Sequence, residues 1–340
     1  MELKSLLSTA CVLLIFIIMI CLKRRNCENE NSFFTKEYTT ALKGLAAIVV
    51  IFVHVPADYS NVLQDAIGSF GYVAVTFFFL VSSYGMQLAV ENKQGYMTTF
   101  WKNRLSSLLI PMIIINIVNY GANYLFSGVS RLPLLIKFNE YVAVLLSYCL
   151  WFWCLEIIGN YFRLNRKTTD LINISGVLLS SLCLYFLGES TGWCYERLGL
   201  VWGVLLYRYF PAMLNWIKRR NLSPKIIFIV ASLVLGVLYL KYKYVYFWGA
   251  YMLKIVLGVV LLMCLFLWSY RRNFNNRILL FLGGISYEIY LFHTTFMLLM
   301  RDYFAPPAYL FIPVTVVSTI VLAYLIDAVS KPLIRKLRSN

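Results

Sequence analysis

Long apolar runs alternate with short polar segments along almost the whole chain. Most runs approach or exceed the roughly 20 residues that an α-helix needs to cross the hydrocarbon layer of a bilayer. The polar segments between them are too short to fold as soluble domains, and the longest extends from about Lys23 to Lys43. The pattern predicts eleven helical spans, at about residues 5–22, 44–57, 69–90, 105–126, 140–162, 171–187, 197–215, 226–241, 248–269, 279–300 and 309–330.

Composition supports a single polytopic transmembrane bundle of the all-α class. Hydrophobic residues make up 61% of the 340 residues, charged residues 14%, and the mean hydropathy is +0.72. Soluble domains contain roughly 25% charged residues. We expect residues 1–37 to form an N-terminal membrane anchor with a cytoplasmic linker, and residues 38–340 to form the integral-membrane domain. The alternative for the first span is a signal peptide, but no small-x-small cleavage site follows it.

The net charge of +16 raises the question of nucleic-acid binding, and the placement of the charges argues against it. Most of the 31 Lys and Arg residues fall in alternate loops, as they do in the cytoplasmic loops of membrane proteins. The sequence therefore predicts a multi-pass protein of the cell membrane, with the N-terminus outside and the C-terminus in the cytoplasm. The opposite side carries few basic residues: Lys4, Arg131, Lys137, Arg197, Lys241, Lys243 and Arg301.

Motifs of soluble nucleotide-binding enzymes and of metallohydrolases are absent from the sequence. It contains no GxGxxG, Walker A, HExxH or GxSxG motif. The eight cysteines form no CxxC pair, and most of them fall in predicted spans. We therefore expect neither a disulfide framework nor a bound metal.

One histidine, His54, lies in an apolar run that begins just after Lys43. In a continuous helix the two residues share a face and lie ~16 Å apart along the axis. If Lys43 marks a membrane surface, His54 lies near the middle of the hydrocarbon layer, where ionisable residues are costly and usually functional. Histidine is also well suited to proton transfer near neutral pH. We therefore favour a catalytic role for His54.

The second histidine, His293, belongs to a polar stripe with Ser286 and Tyr290. These residues and Met297 follow one face of a predicted helix. Such a stripe inside a membrane span faces the bundle interior or a wet cavity. Two interpretations remain open for it, a functional site and hydrogen bonding that only holds helices together.

Several short segments of the chain together match the pattern of a known family. They are Lys43-Gly44-Leu45-Ala46 with His54, Gly71 to Tyr84, Arg104 with Pro111, Leu150-Trp151-Phe152, Gly203 to Leu206, Gly283 to His293, and Lys331-Pro332. In this order they resemble the acyltransferase 3 family, the integral-membrane acyltransferases of bacterial surface polysaccharides. The similarity covers about residues 38 to 335. Five residues depart from the family pattern: Lys43 replaces the usual arginine, Thr76 a common aspartate, Ser83 the usual glycine, Ser107 the second of two arginines, and Ser330 an acidic residue.

The resemblance implies a ten-helix core, with the first span as an addition, and acyl transfer from cytoplasmic acyl-CoA to a sugar hydroxyl. The acyl group is expected to be acetyl, and the acceptor a cell-surface or lipid-linked polysaccharide. Membrane lipid is the other expected partner. The resemblance also implies catalytic roles for His54 and His293. Cations hold phosphates well, so the donor site would include Lys43, Lys102 and Arg104. The substrate pocket would include Ser82, Trp151, Ser286 and Tyr290.

Two other classes of membrane protein are compatible with many spans and interior charges. The first is a transporter or flippase of lipid-linked saccharides, although no inverted repeat is evident in the sequence. The second is a purely structural partner, which would not need a histidine in the middle of the membrane. Transfer of labelled acyl groups by the purified protein distinguishes the enzyme from both.

The predicted orientation can be tested by labelling engineered cysteines in intact cells. Because the basic loops are expected in the cytoplasm, cysteines placed near Asn61 and Pro306 should react with an impermeant reagent. Cysteines near Asn26 and Asn276 should react only after the membrane is permeabilised. The reverse pattern of labelling would show that the orientation is wrong.

Overall fold

The computed structural model describes residues 2–21, 25–26, 33–128, 137–188, 191–219, 222–270, 272–273 and 276–339. Within these ranges the protein is a bundle of helices, which confirms the predicted all-α class. The α-helices are α1 (Glu2–Cys21), α2 (Lys36–Val53), α3 (Val62–Ser69), α4 (Tyr72–Asn92), α5 (Tyr96–Ser127), α6 (Glu140–Tyr161), α7 (Arg166–Phe186), α8 (Thr191–Glu196), α9 (Gly199–Arg219), α10 (Leu222–Tyr242), α11 (Lys254–Ser269), α12 (Arg277–Gly284), α13 (Ser286–Leu299) and α14 (Ala308–Ser339).

Shorter elements complete the described part of the chain. A 3₁₀ turn covers Ala57–Tyr59, and π-helical turns cover Trp248–Leu253 and Met300–Phe304. A two-residue antiparallel bridge joins Arg25–Asn26 (β1) to Arg272–Asn273 (β2). Five of the basic residues used to predict the orientation lie outside the described residues: Lys23, Arg24, Arg131, Arg220 and Arg271.

Each of the eleven predicted spans falls on a helix or a helix pair, but the number of membrane crossings is not confirmed. Among the described residues, eight helices are long and apolar enough to cross a membrane. A ninth is obtained if α12 and α13, which are bent by 68° relative to one another, form one broken span. Helices α2 and α9 are not among them. Helix α2 is only 18 residues long and contains three charged residues, Lys36, Glu37 and Lys43.

The N-terminal helix α1 is joined to the bundle by polar contacts as well as by apolar packing. The Asn61 side chain, before α3, donates hydrogen bonds to Ser5 Oγ at 3.2 Å and to Thr9 Oγ1 at 2.8 Å. At the other end of α1, Asn276 Nδ2 donates to the carbonyl of Met19 at 2.6 Å. Most of the large side chains of α1 are nevertheless exposed, as expected for a helix at the lipid-facing surface.

Helices α4, α6, α7 and α9 are connected by a network of ion pairs. Arg166 binds the buried Glu156 at 2.6 Å and Glu91 at 3.1 Å, while Arg208 pairs with both Glu91 and Asp170. Each guanidinium therefore contacts two carboxylates, so the charges in this network are largely compensated. We interpret the network as structural.

The closest approach relevant to the histidines is between α2 and the α12–α13 pair. At Gly44, an added Cβ would lie 2.7 Å from the carbonyl oxygen of Leu279 and 2.8 Å from the amide nitrogen of Gly283. At Gly283, an added Cβ would lie 1.8 Å from the carbonyl oxygen of Thr40. The two backbones are in contact here, which is the usual reason for small residues between membrane helices.

The neighbouring glycines Gly283 and Gly284 provide a matched test of this contact. Gly283→Ala forces the α2 backbone away, and overpacking of this kind costs about 1–3 kcal/mol. Gly284→Ala meets no atom within 4 Å and should leave stability unchanged or slightly higher. Thermal unfolding of the two variants in the same detergent measures the difference. Equal unfolding temperatures would contradict the assigned contact.

Candidate functional site

His54 occupies the C-terminal end of α2 instead of the middle of a longer helix. The helix was expected to continue to about residue 57, but it ends at Val53, because Pro56 has no amide hydrogen to donate to the carbonyl of Phe52. Gln64 of α3 replaces that donor, with its Nε2 2.5 Å from the Phe52 oxygen. The end of the helix is thus fixed by a side chain from the following helix.

The same helix end orients the His54 ring. The backbone amide of His54 donates to the carbonyl of Ile51 at 3.3 Å, one residue short of the α-helical pattern. This leaves the Val50 carbonyl without its usual partner, and His54 Nδ1 lies 3.0 Å from that oxygen. The imidazole therefore completes the hydrogen bonding of its own helix.

The two histidines, 239 positions apart in the sequence, are in direct contact. His293 Nε2 lies 3.1 Å from His54 Nδ1, and the ring centroids are 4.7 Å apart with an interplanar angle of 69°. His293 is buried at 2% exposure, whereas His54 is exposed. The pair therefore has an inner member, held by protein on all sides, and an outer member that a second molecule can reach.

Hydrogen-bond geometry determines which nitrogen of each neutral ring carries the proton. His293 Nδ1 lies 3.2 Å from the carbonyl of Ile289, and since a carbonyl only accepts, Nδ1 carries the hydrogen. His293 Nε2 then accepts from His54 Nδ1–H, which also faces the Val50 carbonyl. The remaining nitrogen, His54 Nε2, keeps its lone pair. The arrangement thus presents one unprotonated nitrogen on the exposed ring, as a general base requires.

A cavity of about 770 Å³ lies between α2, α4, α5, α6, α13 and α14, at the end of the bundle that contains Lys43. Five of the residues singled out from the sequence line it, namely Lys43, Ser82, Arg104, Ser286 and Tyr290. They come from α2, α4, α5 and α13, so the packing of the bundle brings these side chains together.

The cavity wall contains more cations than carboxylates, since the carboxylates among its lining residues are Glu288 and Asp327. Among the residues that the structure describes, Lys43, Lys93, Arg104 and Arg338 line the cavity, and none of them lies within ion-pair distance of a carboxylate. Lys331 is different, because its Nζ lies 2.6 Å from Asp327. An excess of unpaired basic side chains around a cavity favours a ligand with negative charge.

Aromatic rings separate the cavity from the histidine pair. Tyr290 lines the cavity, and its ring centroid lies 5.8 Å from that of His293. Tyr141 and Phe78 pack on Tyr290 at centroid distances of 4.8 Å and 6.2 Å. The inner end of the cavity is therefore one aromatic layer away from the buried histidine.

Two of the predicted site residues lie elsewhere. Lys102 is exposed and does not line the cavity, although Arg104, two residues later, does. Trp151 lines a second cavity of about 440 Å³ beside α7, with its ring against Gly176. The structure therefore does not bring either side chain to the histidines or to the first cavity.

Three cations of the cavity wall were not predicted as site residues: Lys93, Lys331 and Arg338. Their positions in polar segments at span ends are those of ordinary basic anchors, so charge alone did not distinguish them. One feature of the sequence indicated a role for Lys331, since the Lys331-Pro332 pair is part of the family resemblance. No feature of the sequence indicated a role for Arg338.

The chain matches one family model, described as an acyltransferase domain, over residues 37–328. Comparison with curated proteins and with solved structures gives no match. The matched region includes both histidines and all the cavity-lining residues except Ser330, Lys331, Ile334 and Arg338. Since the match spans most of the chain and the helices are those of a multi-pass membrane protein, this protein belongs to the acyltransferase 3 family of membrane acyltransferases.

Proposed function

We propose that the protein transfers an acyl group, which we take to be acetyl, from acyl-CoA to a hydroxyl of a cell-surface or lipid-linked polysaccharide. This proposal rests on the combination of two neighbouring features of the structure. A cavity lined by unpaired cations ends beside a pair of histidines, and the exposed histidine has a free basic nitrogen. A phosphate-rich donor suits the first feature, and activation of a hydroxyl suits the second.

The donor is proposed to enter at the end of the bundle that holds Lys43, and the excess of basic residues in the loops on that side supports a cytoplasmic position for this end. Its phosphates would bind the cations of the wall, Arg104 offering a planar guanidinium and Lys43 a point charge. The pantetheine arm would then extend along Ser82 and Ser286 towards Tyr290. The thioester is thereby delivered to the aromatic layer that adjoins His293.

The chemical step requires a base for the sugar hydroxyl, which is a poor nucleophile while protonated. His54 Nε2 removes that proton as the hydroxyl oxygen forms a bond to the acyl carbon. The carbon–sulfur bond then breaks, and the sulfur leaves with the bonding electron pair. The proton on His54 passes to this sulfur, which gives the acylated sugar and the free thiol of coenzyme A.

In this mechanism His293 acts through His54. Its Nε2 accepts the hydrogen of His54 Nδ1 and so keeps the proton off His54 Nε2. The bond also fixes the orientation of the exposed ring, as the carboxylate does in a catalytic triad. The acceptor reaches His54 from the exposed side, opposite the buried His293.

Label transfer by the purified protein tests the proposal directly. Protein in lipid nanodiscs is given acetyl-CoA labelled in the acetyl group together with surface polysaccharide from cells lacking the protein. We expect label on the polysaccharide and an O-acetyl signal in its NMR spectrum. A transporter of lipid-linked saccharides would leave the polysaccharide unlabelled.

Replacement of the exposed histidine should remove the base. We expect His54→Ala to lower kcat by about 10²–10⁴-fold, the usual contribution of a general base. Asp58→Ala is the matched control, because Asp58 is an exposed ionisable residue just beyond α2 and His54 hydrogen-bonds to other groups. The control should retain the wild-type rate. Comparable kcat values for the two variants would exclude His54 as the base.

Replacement of the buried histidine should distinguish a hydrogen-bond acceptor from a space-filling side chain. His293→Leu removes the acceptor for His54 Nδ1–H, and kcat should fall at least tenfold with little change in KM. His293→Gln offers a carbonyl oxygen as a substitute acceptor and should retain more activity than the leucine variant. The two rates are compared at equal amounts of folded protein. If the leucine variant is the more active of the two, His293 has only a packing role.

A further inference from the structure

The last helix, α14, reaches the mouth of the cavity with its final turns. Arg338 is the next-to-last residue of this helix, and it lines the cavity together with Lys331 and Ile334. All three residues lie beyond residue 328, where the family match ends. The wall of the proposed donor site therefore includes a segment outside the matched domain.

The Arg338 side chain is held in place by α5. Its Nε donates to Ser106 Oγ at 3.1 Å, and its Nη2 donates to the carbonyl of Asn103 at 2.9 Å. Both acceptors are neutral, and no carboxylate lies within ion-pair distance among the described residues. The guanidinium is thus positioned at the cavity, but its charge is not compensated.

Arg338 contacts the same stretch of α5 that carries Arg104. Arg104 directly follows Asn103 in α5, and its Nη2 donates to the hydroxyl of Tyr96 at 3.3 Å. Two guanidinium groups, one from α5 and one from α14, therefore line one cavity, and neither forms an ion pair with a described carboxylate. Guanidinium groups in this situation bind phosphate well, because their planar donors match two phosphate oxygens.

We propose that Arg338 is a donor-binding residue that contacts a phosphate of acyl-CoA, so that α14 completes the donor site from outside the matched domain. This inference rests on the proposed function, since it names a contact to the donor of that reaction. Arg338 can bind a phosphate without losing its hydrogen bonds to α5, because those bonds use Nε and Nη2. Its Nη1 forms no hydrogen bond among the described residues.

Arg335 offers a matched control on the same helix. Like Arg338 it is exposed, and it carries the same charge one turn earlier, but it does not line the cavity. Loss of positive charge from the end of α14 is therefore identical in Arg335→Ala and Arg338→Ala. Only the second variant removes a cation from the cavity wall.

The experiment compares two donors with and without phosphates, acetyl-CoA and S-acetylpantetheine. The protein is assayed in nanodiscs of zwitterionic lipid, so that no anionic headgroup competes for Arg338. We expect Arg338→Ala to raise KM for acetyl-CoA by about ten- to a hundredfold, the scale of one charge-assisted contact. KM for S-acetylpantetheine should stay within twofold of wild type, and Arg335→Ala should match wild type with both donors.

Other outcomes would overturn the inference in distinguishable ways. A similar loss with both donors would show that Arg338 only holds α14 against α5, and unchanged KM values would place the phosphates elsewhere. Arg338→Lys should have a higher affinity for acetyl-CoA than Arg338→Ala, but a lower one than wild type. Lysine keeps the positive charge but lacks the planar donors that bind two phosphate oxygens. Failure of the proposed function is recognised separately, since wild-type protein would then transfer no acetyl group from acetyl-CoA.

Discussion

The arrangement of the site depends on the contact between α2 and α12 at Gly44 and Gly283. Because neither residue has a Cβ, the two backbones touch, and α2 is held directly against the segment that leads into α13. The bend of 68° between α12 and α13 then directs α13 along α2. The histidine at the end of α2 consequently meets the histidine on α13, and Ser286 and Tyr290, which lie between these two points on α13, line the cavity.

Two groups of charged residues in the bundle show different degrees of compensation. In the network of α4, α6, α7 and α9, each arginine contacts two carboxylates, and a charge network satisfied in this way holds helices together. Around the cavity, Lys43, Arg104 and Arg338 form no ion pair among the described residues, and the cations outnumber the carboxylates Glu288 and Asp327. The first group is balanced within the protein, whereas the excess of positive charge in the second favours a ligand with negative charge.

The family resemblance left the donor site incomplete, because Ser107 occupies the place of a second arginine. The structure shows Arg338 bound to Ser106, 232 positions away in the sequence, and both Arg338 and Ser107 line the cavity. Reasoning from the sequence also selected Lys102, which is exposed, and overlooked Lys93. A lysine at a span end has the same local pattern whether it anchors the helix or faces a cavity, and so the two cases could not be separated.

Local periodicity determined much of what the sequence alone predicts. Apolar runs require helices in a membrane, since every backbone group must be satisfied within its own segment, and the structure confirms helices at all eleven positions. The importance of His54 and the stripe of Ser286, Tyr290 and His293 also followed from position along one helix. Contacts between distant helices were decided only by the tertiary structure. The 3.1 Å contact of His54 with His293, the partner of Glu156 and the place of Arg338 depend on how the helices pack. Packing is set by close approaches such as that of Gly44 and Gly283, for which a single sequence offers no measure of distance.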